Sequence, residues 1–501
     1  MIRKILGPPG TGKTKTLLDH VDSYIKQGVA PHRIGYFAFT KKAAGEAKER
    51  MIARNPNIRK KDLRYFQTLH SLAFHTLGMS EDSVLQPIHY EEIGRDLSIR
   101  VNCFRDGEEH CYLDCDNEYF KLINKARVKN ISVEEEFNTN EWTRDIDLHT
   151  LNHVYNYFNK YKSAHRLHDY TDMIVNFTKE AEKCPNFDVI FIDEAQDLAP
   201  IQWNMFDILK DKSGDIYLAG DDDQAIFAWA GADVDRFIDQ EAEETVLNQS
   251  ERIPGGVQEI SQIIIERIQG KRKEKKYFPK RNKDTNEIIE GIVDPIFSID
   301  HLNLYEGEWL VLTRTTHRAM ELSKQLKQSN LYFKNKYGKS YDSKLYKSVL
   351  NWTELSKGNS IPLAEAKDIM EYLNITLDLP ELNNYSKITI DDLNIKKGTP
   401  WYDAFTNADQ NECLYIRNML AHGEKLSLEP RVEVSTIHAA KGGECTNVIL
   451  ALDNTKKIRD TISMSVAKQD EEHRVWYVGV TRSGENLYLL KSKKERNGYN
   501  L

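Results

Sequence analysis

The sequence lacks several features that would place it in a special class of protein. No apolar run approaches the length of a membrane-spanning helix, and the first residues show no signal-peptide pattern. Six cysteines in a chain of 501 residues favour reduced thiols, so we expect a cytoplasmic protein without membrane contact. A net charge of −8 excludes a uniformly basic nucleic-acid coat, although it permits a local basic groove.

Internal repeats and long low-complexity tracts are also missing, which favours ordinary globular domains. Short apolar runs at Ile2–Leu6, 33–40, Phe187–Ile192 and 215–219 alternate with polar loops and helix-forming segments. This alternation is typical of a parallel sheet wrapped by helices. A second pattern of the same kind begins after Arg252 and predicts a second α/β domain.

Two segments of different composition interrupt these patterns. The first is polar, acidic and rich in aromatic residues, and the second divides the C-terminal α/β pattern. We therefore predict an α/β protein with two nucleotide-type folds built on parallel sheets, each carrying a mainly helical insertion. The predicted boundaries are 1–78 and 169–250 for the first domain, 79–168 for its insertion, 251–330 and 431–501 for the second domain, and 331–430 for its insertion.

Residues 7–14 read Gly-Pro-Pro-Gly-Thr-Gly-Lys-Thr, which matches the phosphate-binding pattern G-x-x-x-x-G-K-[ST]. The glycines let the backbone curl so that successive N–H groups converge on phosphate oxygens. The lysine reaches the β- and γ-phosphates, the threonine hydroxyl ligates Mg²⁺, and the following helix directs its N-terminus at the anion. The residues predicted to bind the nucleoside triphosphate are Gly7, Pro8, Pro9, Gly10, Thr11, Gly12, Lys13 and Thr14.

Residues 189–197 read Val-Ile-Phe-Ile-Asp-Glu-Ala-Gln-Asp, an apolar strand that ends in carboxylates. In a parallel sheet such a strand delivers Asp193 to the carboxyl edge, where the phosphate loop also lies. We expect Asp193 to hold Mg²⁺ together with Thr14, directly or through water. Glu194 is expected to polarise the attacking water.

Residues 218–232 read Leu-Ala-Gly-Asp-Asp-Asp-Gln-Ala-Ile-Phe-Ala-Trp-Ala-Gly-Ala. Gln224 follows a strand and is placed to sense the γ-phosphate, with Phe227 and Trp229 a few residues away. An aromatic residue so close to a nucleotide sensor suggests a link between the nucleotide and a stacked base. The alternative is that Trp229 packs in a core.

Hydrolysis also requires positive charge against the γ-phosphate, and an arginine there contributes about 10³ to 10⁵ in rate. The candidates are Arg252, in Leu-Asn-Gln-Ser-Glu-Arg-Ile-Pro at 247–254, and Arg482, in Val-Trp-Tyr-Val-Gly-Val-Thr-Arg at 475–482. We expect both to come from outside the phosphate-loop domain, so that nucleotide binding closes a cleft.

In order and spacing, these segments resemble the motifs of the UvrD/Rep/PcrA-like branch of superfamily 1 helicases, over nearly the full length of the chain. The similar segments are 7–14 for motif I, Phe-Thr-Lys-Lys-Ala-Ala at 39–44 for Ia, Thr-Leu-His-Ser at 68–71 for Ib, Asp-Glu-Ala-Gln at 193–196 for II, 220–232 for III, 247–254 for IV with the following strand at 311–314, Thr-Ile-His-Ala-Ala-Lys-Gly-Gly-Glu at 436–444 for V, and 472–482 for VI.

The resemblance implies two RecA-like domains and a motor that uses ATP and Mg²⁺ to move 3′ to 5′ along single-stranded DNA. It implies that Arg252 and Arg482 contact the γ-phosphate and that Glu444 binds the ribose. The residues implied for the single-strand track are Phe39, Thr40, His70, Trp229, Thr436 and His438. The implied partners are single-stranded DNA, 3′-tailed duplex DNA and replication or repair proteins.

The chain departs from the family pattern in three places. The glutamine motif that precedes the phosphate loop in family members has no counterpart before residue 7, and Glu251 stands where a base-stacking tyrosine is usual. We therefore expect weaker discrimination among nucleotides. The second insertion is shorter than the resemblance implies, and in the family this insertion often tunes unwinding. Duplex unwinding is therefore a weaker expectation than translocation. Compactness favours a phage or other mobile-element origin and a bacterial or phage-infected cytoplasm.

The same motifs are compatible with two functions. The leading hypothesis is an ATP-dependent 3′–5′ DNA helicase of replication, repair or recombination. The alternative is a DNA-dependent ATPase that translocates and displaces proteins without efficient duplex unwinding. A third reading, a nucleotide-gated binding scaffold with slow hydrolysis, is disfavoured by the presence of Glu194, Gln224 and both arginines.

Overall fold

The computed structural model describes residues 1–104, 114–139, 146–375, 383–393, 395–396 and 398–501. The chain divides into two compact units, Met1–Glu290 with Asp460–Thr481 and Gly291–Arg459 with Arg482–Leu501. Among the described residues, no helix combines the length and the apolar character that crossing a membrane requires.

The described strands are β1 (Ile2–Leu6), β2 (Ile34–Phe37), β3 (Phe66–Gln67), β4 (Cys103–Phe104), β5 (Asp114–Cys115), β6 (Phe187–Ile192), β7 (Ser213–Gly220), β8 (Glu243–Val246), β9 (Ile292–Ile296), β10 (Trp309–Thr313), β11 (Phe333–Asn335), β12 (Gly338–Lys339), β13 (Ile361–Pro362), β14 (Lys387–Ile388), β15 (Val432–Thr436), β16 (Cys445–Ala451) and β17 (Ser483–Leu490).

The described helices are α1 (Lys13–Lys26), α2 (Lys41–Arg54), α3 (Leu69–Thr76), α4 (Pro87–Asp96), α5 (Glu118–Lys129), α6 (Val133–Thr139), α7 (Leu148–His165), α8 (Tyr170–Lys179), α9 (Pro200–Asp211), α10 (Val234–Asp239), α11 (Gly255–Ile265), α12 (Thr316–Gln328), α13 (Ser343–Ser356), α14 (Leu363–Leu373), α15 (Trp401–Ala404), α16 (Gln410–Ala421), α17 (Lys456–Ile462) and α18 (Val466–Val480).

The first unit is built on a six-stranded sheet of order β3-β2-β6-β7-β1-β8, in which the described pairings are parallel. Successive side chains on a strand point to opposite faces of the sheet. On β6, Val189 and Phe191 therefore enter the core under α1 and α2, whereas Ile190 and Ile192 enter the core under α3, α8 and α9. Burial on both faces explains why these strands are continuous apolar runs in the sequence.

A helical insertion follows α3 in this unit. Its helices α4, α5 and α7 surround a core of their own that includes Tyr90, Phe120, Ile123, Val154 and Phe158. The insertion thus has enough apolar side chains to hold its helices together without a sheet.

Buried ion pairs attach this insertion to the start of α8. Arg127 Nη2 lies 2.6 Å from Asp172 Oδ1, and Lys162 Nζ lies 2.8 Å from Asp169 Oδ2. The Arg127 guanidinium also contacts Asp169, and these cations hold the pKa of the buried Asp169 carboxyl below its usual value although burial alone would raise it. Removing one partner would leave a buried charge uncompensated. The pairs therefore fix the insertion to the start of α8.

The second unit contains a seven-stranded sheet of order β12-β11-β15-β10-β16-β17-β9. Its described pairings are parallel except for that between β11 and β12. Val311, Leu322, Val434 and Ile449 form part of the core between this sheet and α12. A second core, with Trp352, Ile369, Phe405 and Ile416 among its members, holds α13, α14 and α16 together.

The predicted fold class, α/β with parallel sheets and helical insertions, is confirmed. The predicted strand Phe187–Ile192 coincides with β6, whereas the one predicted at 33–40 is shorter because Thr40 already caps α2. Residues 251–290 and 460–481 group with the first unit, where α11 packs against α18. A compact unit need not coincide with a functional domain. The predicted domain boundaries therefore stay a prediction.

Candidate functional site

The phosphate loop joins β1 to α1 at the carboxyl edge of the first sheet. Gly10 and Gly12 have φ angles of 73° and 83°, in the left-handed region that favours glycine. Gly12 is the N-cap of α1, and no side chain caps that helix end. Lys13 Nζ donates to Gly7 O at 2.8 Å, which holds the ammonium over the loop. A helix N-terminus with an adjacent ammonium suits an anion, so this geometry fits the predicted phosphates.

The segment that follows β8 runs beside the phosphate loop. The hydroxyl of Ser250 donates to Pro9 O at 2.8 Å, and the backbone N–H of Glu251 donates to Gly10 O at 2.9 Å. A Cβ placed on Gly10 would lie 2.4 Å from Arg252 Cβ. Arg252 groups with the same compact unit as the phosphate loop, and the expectation that it comes from a separate functional domain stays a prediction.

Replacing Gly10 by alanine should both destabilise the protein and weaken nucleotide binding. A left-handed residue with a Cβ costs about 1–2 kcal/mol, and here the methyl group would also displace Arg252. Calorimetric unfolding and nucleotide titration would measure the two effects.

Gly28→Ala is the matched control, because Gly28 has a φ of 94° and a Cβ there would meet nothing within 4 Å. We expect Gly28→Ala to lower stability by about 1 kcal/mol without changing nucleotide affinity. Equal nucleotide affinities of the two variants would contradict the close approach of Arg252 to the loop.

Asp193 follows β6 and is buried. Its Oδ2 atom accepts hydrogen bonds from Thr14 Oγ1 at 2.7 Å and from the Tyr36 hydroxyl at 3.0 Å. Burial raises the pKa of Asp193, and the neighbouring Glu194 raises it further, while the bond from Thr14 opposes the shift. A cation at this carboxylate would favour its charged form.

The donor set at Asp193 fits Mg²⁺. The Thr14 hydroxyl and the Asp193 carboxylate bring two hard oxygen ligands to one point, and Mg²⁺ combines such protein ligands with phosphate oxygens and water. The described residues contain no cluster of three or more His, Cys, Asp or Glu side chains that could hold a metal ion.

Glu194 has a φ of 55°, which is uncommon for a residue with a Cβ and is found at strained functional positions. Gln196 Nε2 donates to Glu194 Oε2 at 2.6 Å and so fixes the carboxylate. The other end of the same amide, Gln196 Oε1, accepts from the backbone N–H of Asp221 at 3.0 Å. One side chain thus bridges the loops that follow β6 and β7.

Gln224 ends the short 3-10 turn Asp222–Gln224 after β7 and is buried. Its Nε2 atom donates to Asp221 Oδ2 at 2.7 Å. Glu194, Gln196, Asp221 and Gln224 therefore form one chain of hydrogen bonds. This chain connects the predicted catalytic carboxylate with the predicted γ-phosphate sensor.

An aromatic surface follows Gln224 in the chain. The rings of Phe39 and Phe227 are stacked with centroids 5.3 Å apart, and the ring of Trp229 lies 6.4 Å from that of Phe227. Trp229 is 51% exposed, so the alternative that it packs in a core is wrong. An exposed indole beside a fixed aromatic pair is suited to stacking on a base.

Thr40 and His70, both predicted for the DNA track, make local contacts within the first unit, and their part in DNA binding stays a prediction. The hydroxyl of Thr40 accepts from the backbone N–H of Ala43 at 3.1 Å and caps α2. The ring of His70 contacts that of Tyr170 edge to face, and burial lowers the pKa of His70 to about 4. The imidazole is neutral at pH 7, so it can offer hydrogen bonds or stacking but no charge.

The remaining predicted residues lie in the second unit. Thr436 ends β15, and its hydroxyl accepts from the backbone N–H of Ala439 at 3.2 Å. Arg482 is buried and donates through Nη1 to the carbonyl of Gly443 at 3.1 Å, next to Glu444. His438 lies in the turn that connects β15 to this segment. Thr436, His438 and Glu444 thus lie at or within the segment between β15 and β16, which Arg482 contacts from the turn between α18 and β17. The roles of these residues in nucleotide and DNA binding stay predictions.

Sequence reasoning missed Tyr36, Gln196, Asp221 and Ser250, whose hydrogen bonds shape the site. Gln196 and Asp221 lie inside the motifs at 193–196 and 220–232, so the sequence indicated that they belong near the site. Their partners lie on other loops, and that information is absent from a linear pattern.

Two family models match the chain. The UvrD/REP helicase N-terminal domain matches residues 2–244, and the UvrD-like helicase C-terminal domain matches residues 334–494. The chain belongs to the UvrD-like helicase family. The resemblance predicted from the motifs is confirmed, and the N-terminal match includes the whole hydrogen-bonded chain from Glu194 to Gln224.

Curated relatives of this UvrD-like chain include the ATP-dependent DNA helicase PcrA of Staphylococcus aureus, which is 23% identical over 388 residues, 70% of this chain and 51% of the relative. The protein of the same name from Staphylococcus epidermidis is 21% identical over 398 residues, 74% of this chain and 51% of the relative. The chain spans about half the length of the curated relatives it matches. Both relatives are bacterial, and the phage origin stays a prediction.

Proposed function

We propose that this chain is an ATP-dependent DNA helicase that moves 3′ to 5′ on single-stranded DNA in bacterial replication, repair or recombination. The observation that carries the proposal is the hydrogen-bonded chain from Glu194 to Gln224. It joins the carboxylate placed for hydrolysis to the turn that leads into exposed Trp229. Through such a connection, the state of the nucleotide can alter a surface that stacks on a base.

In this proposal the first unit carries out the chemistry. Lys13 and Arg252 supply positive charge against the phosphates, and Glu194 orients the attacking water and accepts its proton. Thr14 and Asp193 hold Mg²⁺, which neutralises phosphate charge when bound. Each of these side chains lies at or beside the phosphate loop, or at the end of β6.

The second unit contributes two further roles to the proposal. Arg482 acts as the second γ-phosphate arginine and Glu444 as the ribose ligand, and both lie within the segment matched by the C-terminal family model. Glu251 replaces the usual base-stacking tyrosine beside the phosphate loop, which supports weaker discrimination between ATP and GTP. A strong preference for ATP in parallel hydrolysis assays would contradict that part.

The affinity for single-stranded DNA should fall steeply with salt. Contacts to six or more phosphates release bound counterions, so affinity should fall by about 10³-fold between 50 and 200 mM salt. Fluorescence anisotropy of a labelled oligonucleotide at several salt concentrations would measure the slope. A flat response would contradict a track along the DNA backbone.

Unwinding and direction need a separate experiment. Fluorescent duplexes with a 3′ or a 5′ single-stranded tail should be incubated with the protein, ATP and Mg²⁺. We expect strand release from the 3′-tailed duplex alone. DNA-stimulated hydrolysis without strand release would favour the alternative, a translocase that displaces proteins, and release from the 5′-tailed duplex would contradict the proposed direction.

A further inference from the structure

A cluster of buried charges lies behind the turn that carries Gln224. The side chain of Lys275 is 1% exposed, and its Nζ atom lies 3.2 Å from Asp221 Oδ1. The same atom lies 2.5 Å from Asp222 Oδ1 and 3.0 Å from Asp223 Oδ2. One ammonium group thus contacts the three consecutive carboxylates that precede Gln224.

Other groups of the first unit complete this cluster. Arg272 binds both carboxylate oxygens of Asp223, through Nε at 3.1 Å and Nη2 at 2.9 Å. The backbone N–H of Lys273 donates to Asp222 Oδ2 at 2.8 Å, and Arg474 Nε on α18 donates to Asp222 O at 3.0 Å. Two parts of the first unit therefore hold the turn in place. One is the segment 272–275, which lies outside the motifs, and the other is α18, more than 200 residues away in sequence.

The carboxylate of Asp221 is the link between this cluster and the site. One of its oxygens faces Lys275, and the other accepts from Gln224 Nε2 at 2.7 Å. The orientation of Asp221 therefore sets the orientation of the Gln224 amide. Because Asp221, Lys275 and Gln224 are buried, water cannot easily replace either contact.

We infer that Lys275 is a positioning residue for ATP hydrolysis, which acts through Asp221 to hold Gln224 in its sensing orientation. The inference rests on the proposed function, in which Gln224 senses the γ-phosphate. Lys275 itself lies behind the turn and contacts carboxylates rather than the phosphate loop.

The electrostatics of the cluster agree with this role. Burial by itself lowers the pKa of Lys275, but the three carboxylates outweigh burial and raise the pKa above its usual value. The ammonium therefore stays charged. Without it, the buried carboxylates would repel one another, and Asp221 would lose the partner that fixes its rotamer.

A double-mutant cycle on kcat tests the inference. The wild type, Lys275→Met, Gln224→Ala and the double variant are compared in DNA-stimulated ATP hydrolysis at saturating ATP and oligonucleotide. We expect Lys275→Met to lower kcat about 10-fold or more while KM for ATP changes little, because the phosphate loop is untouched. In the Gln224→Ala background, Lys275→Met should lower kcat less than about 2-fold.

Asp221→Asn provides a second cycle if Lys275→Met does not fold. Asparagine keeps the size of the side chain but presents a neutral amide between Lys275 and Gln224. Its effect on kcat should likewise vanish in the Gln224→Ala background. Lys271→Met is the matched control, since its exposed side chain pairs with Asp239 at 2.8 Å rather than with the three carboxylates. The control should retain wild-type kcat.

The outcomes separate the inference from the proposed function. A merely structural role would lower the unfolding temperature and reduce kcat by the same factor in both backgrounds, and that result would overturn the positioning role. A wild-type protein without DNA-stimulated hydrolysis would instead overturn the proposed function itself. Loss of the Lys275→Met and Asp221→Asn effects in the Gln224→Ala background is the result we expect.

Discussion

Glu194→Gln should lower kcat for DNA-stimulated ATP hydrolysis by about 10³-fold while leaving nucleotide binding intact. The carboxylate is the general base of the proposed reaction, and an amide of the same size cannot accept the proton. The backbone at Glu194 and the bond from Gln196 place this group beside Asp193, so the substitution removes chemistry rather than structure. Steady-state phosphate release and a nucleotide-binding titration would measure the two quantities.

Asp188→Asn is the control for this experiment, because it makes the same change from carboxylate to amide on β6, the strand that leads to Glu194. Asp188 pairs with Arg33 at 2.5 Å, and its side chain is substantially exposed. An exposed pair contributes little to stability, so the control should hydrolyse ATP at the wild-type rate. Retained turnover in Glu194→Gln would remove Glu194 from the mechanism.

Trp229→Ala should weaken binding to single-stranded DNA by about 5- to 150-fold, the range that corresponds to about 1–3 kcal/mol per stacked base. The exposed indole beside Phe227 offers a face on which a base can stack, and alanine offers none. Anisotropy with a labelled oligonucleotide would report the affinity. Hydrolysis without DNA should stay unchanged, because Trp229 lies beyond the buried sensor rather than within it.

Two further variants make the stacking experiment specific. Trp229→Phe keeps an aromatic face and should recover most of the lost affinity. Phe297→Ala removes an aromatic ring that is 78% exposed on the second unit and outside the motifs, and it should bind DNA as the wild type does. Equal losses in Trp229→Ala and Phe297→Ala would mean that the effect is not one of stacking at this turn.

Local patterns predicted much of the fold. Continuous apolar runs such as Phe187–Ile192 indicated strands buried on both faces, and the structure has β6 over the same residues. The strand predicted at 215–219 is the centre of β7, which extends from Ser213 to Gly220. The order of strands within each sheet was not predicted, because pairing such as that of β1 with β7 joins residues more than 200 positions apart.

For the candidate site too, the sequence predicted some features and missed others. The motif at 7–14 and the carboxylate at Asp193 led to a predicted nucleotide and metal site, and the structure brings Thr14 and Asp193 into contact at 2.7 Å. The sequence assigned Arg252 to the opposite domain, since a cleft that closes on the nucleotide needs charge from both sides. In the structure, its neighbours Ser250 and Glu251 donate hydrogen bonds to the phosphate loop, and Arg252 groups with the first unit, which the sequence did not indicate.

The sequence by itself determined the family, the α/β class and the phosphate-loop pattern, because each depends on short local runs of residues and on their order along the chain. Tertiary structure alone decided how the loops are connected. Gln196 bridges the loops that follow β6 and β7, and Lys275 contacts three consecutive carboxylates. These contacts join side chains from segments that meet only after the sheet has formed. A buried polar group must find its partner in three dimensions, and a linear pattern does not record which partner that is.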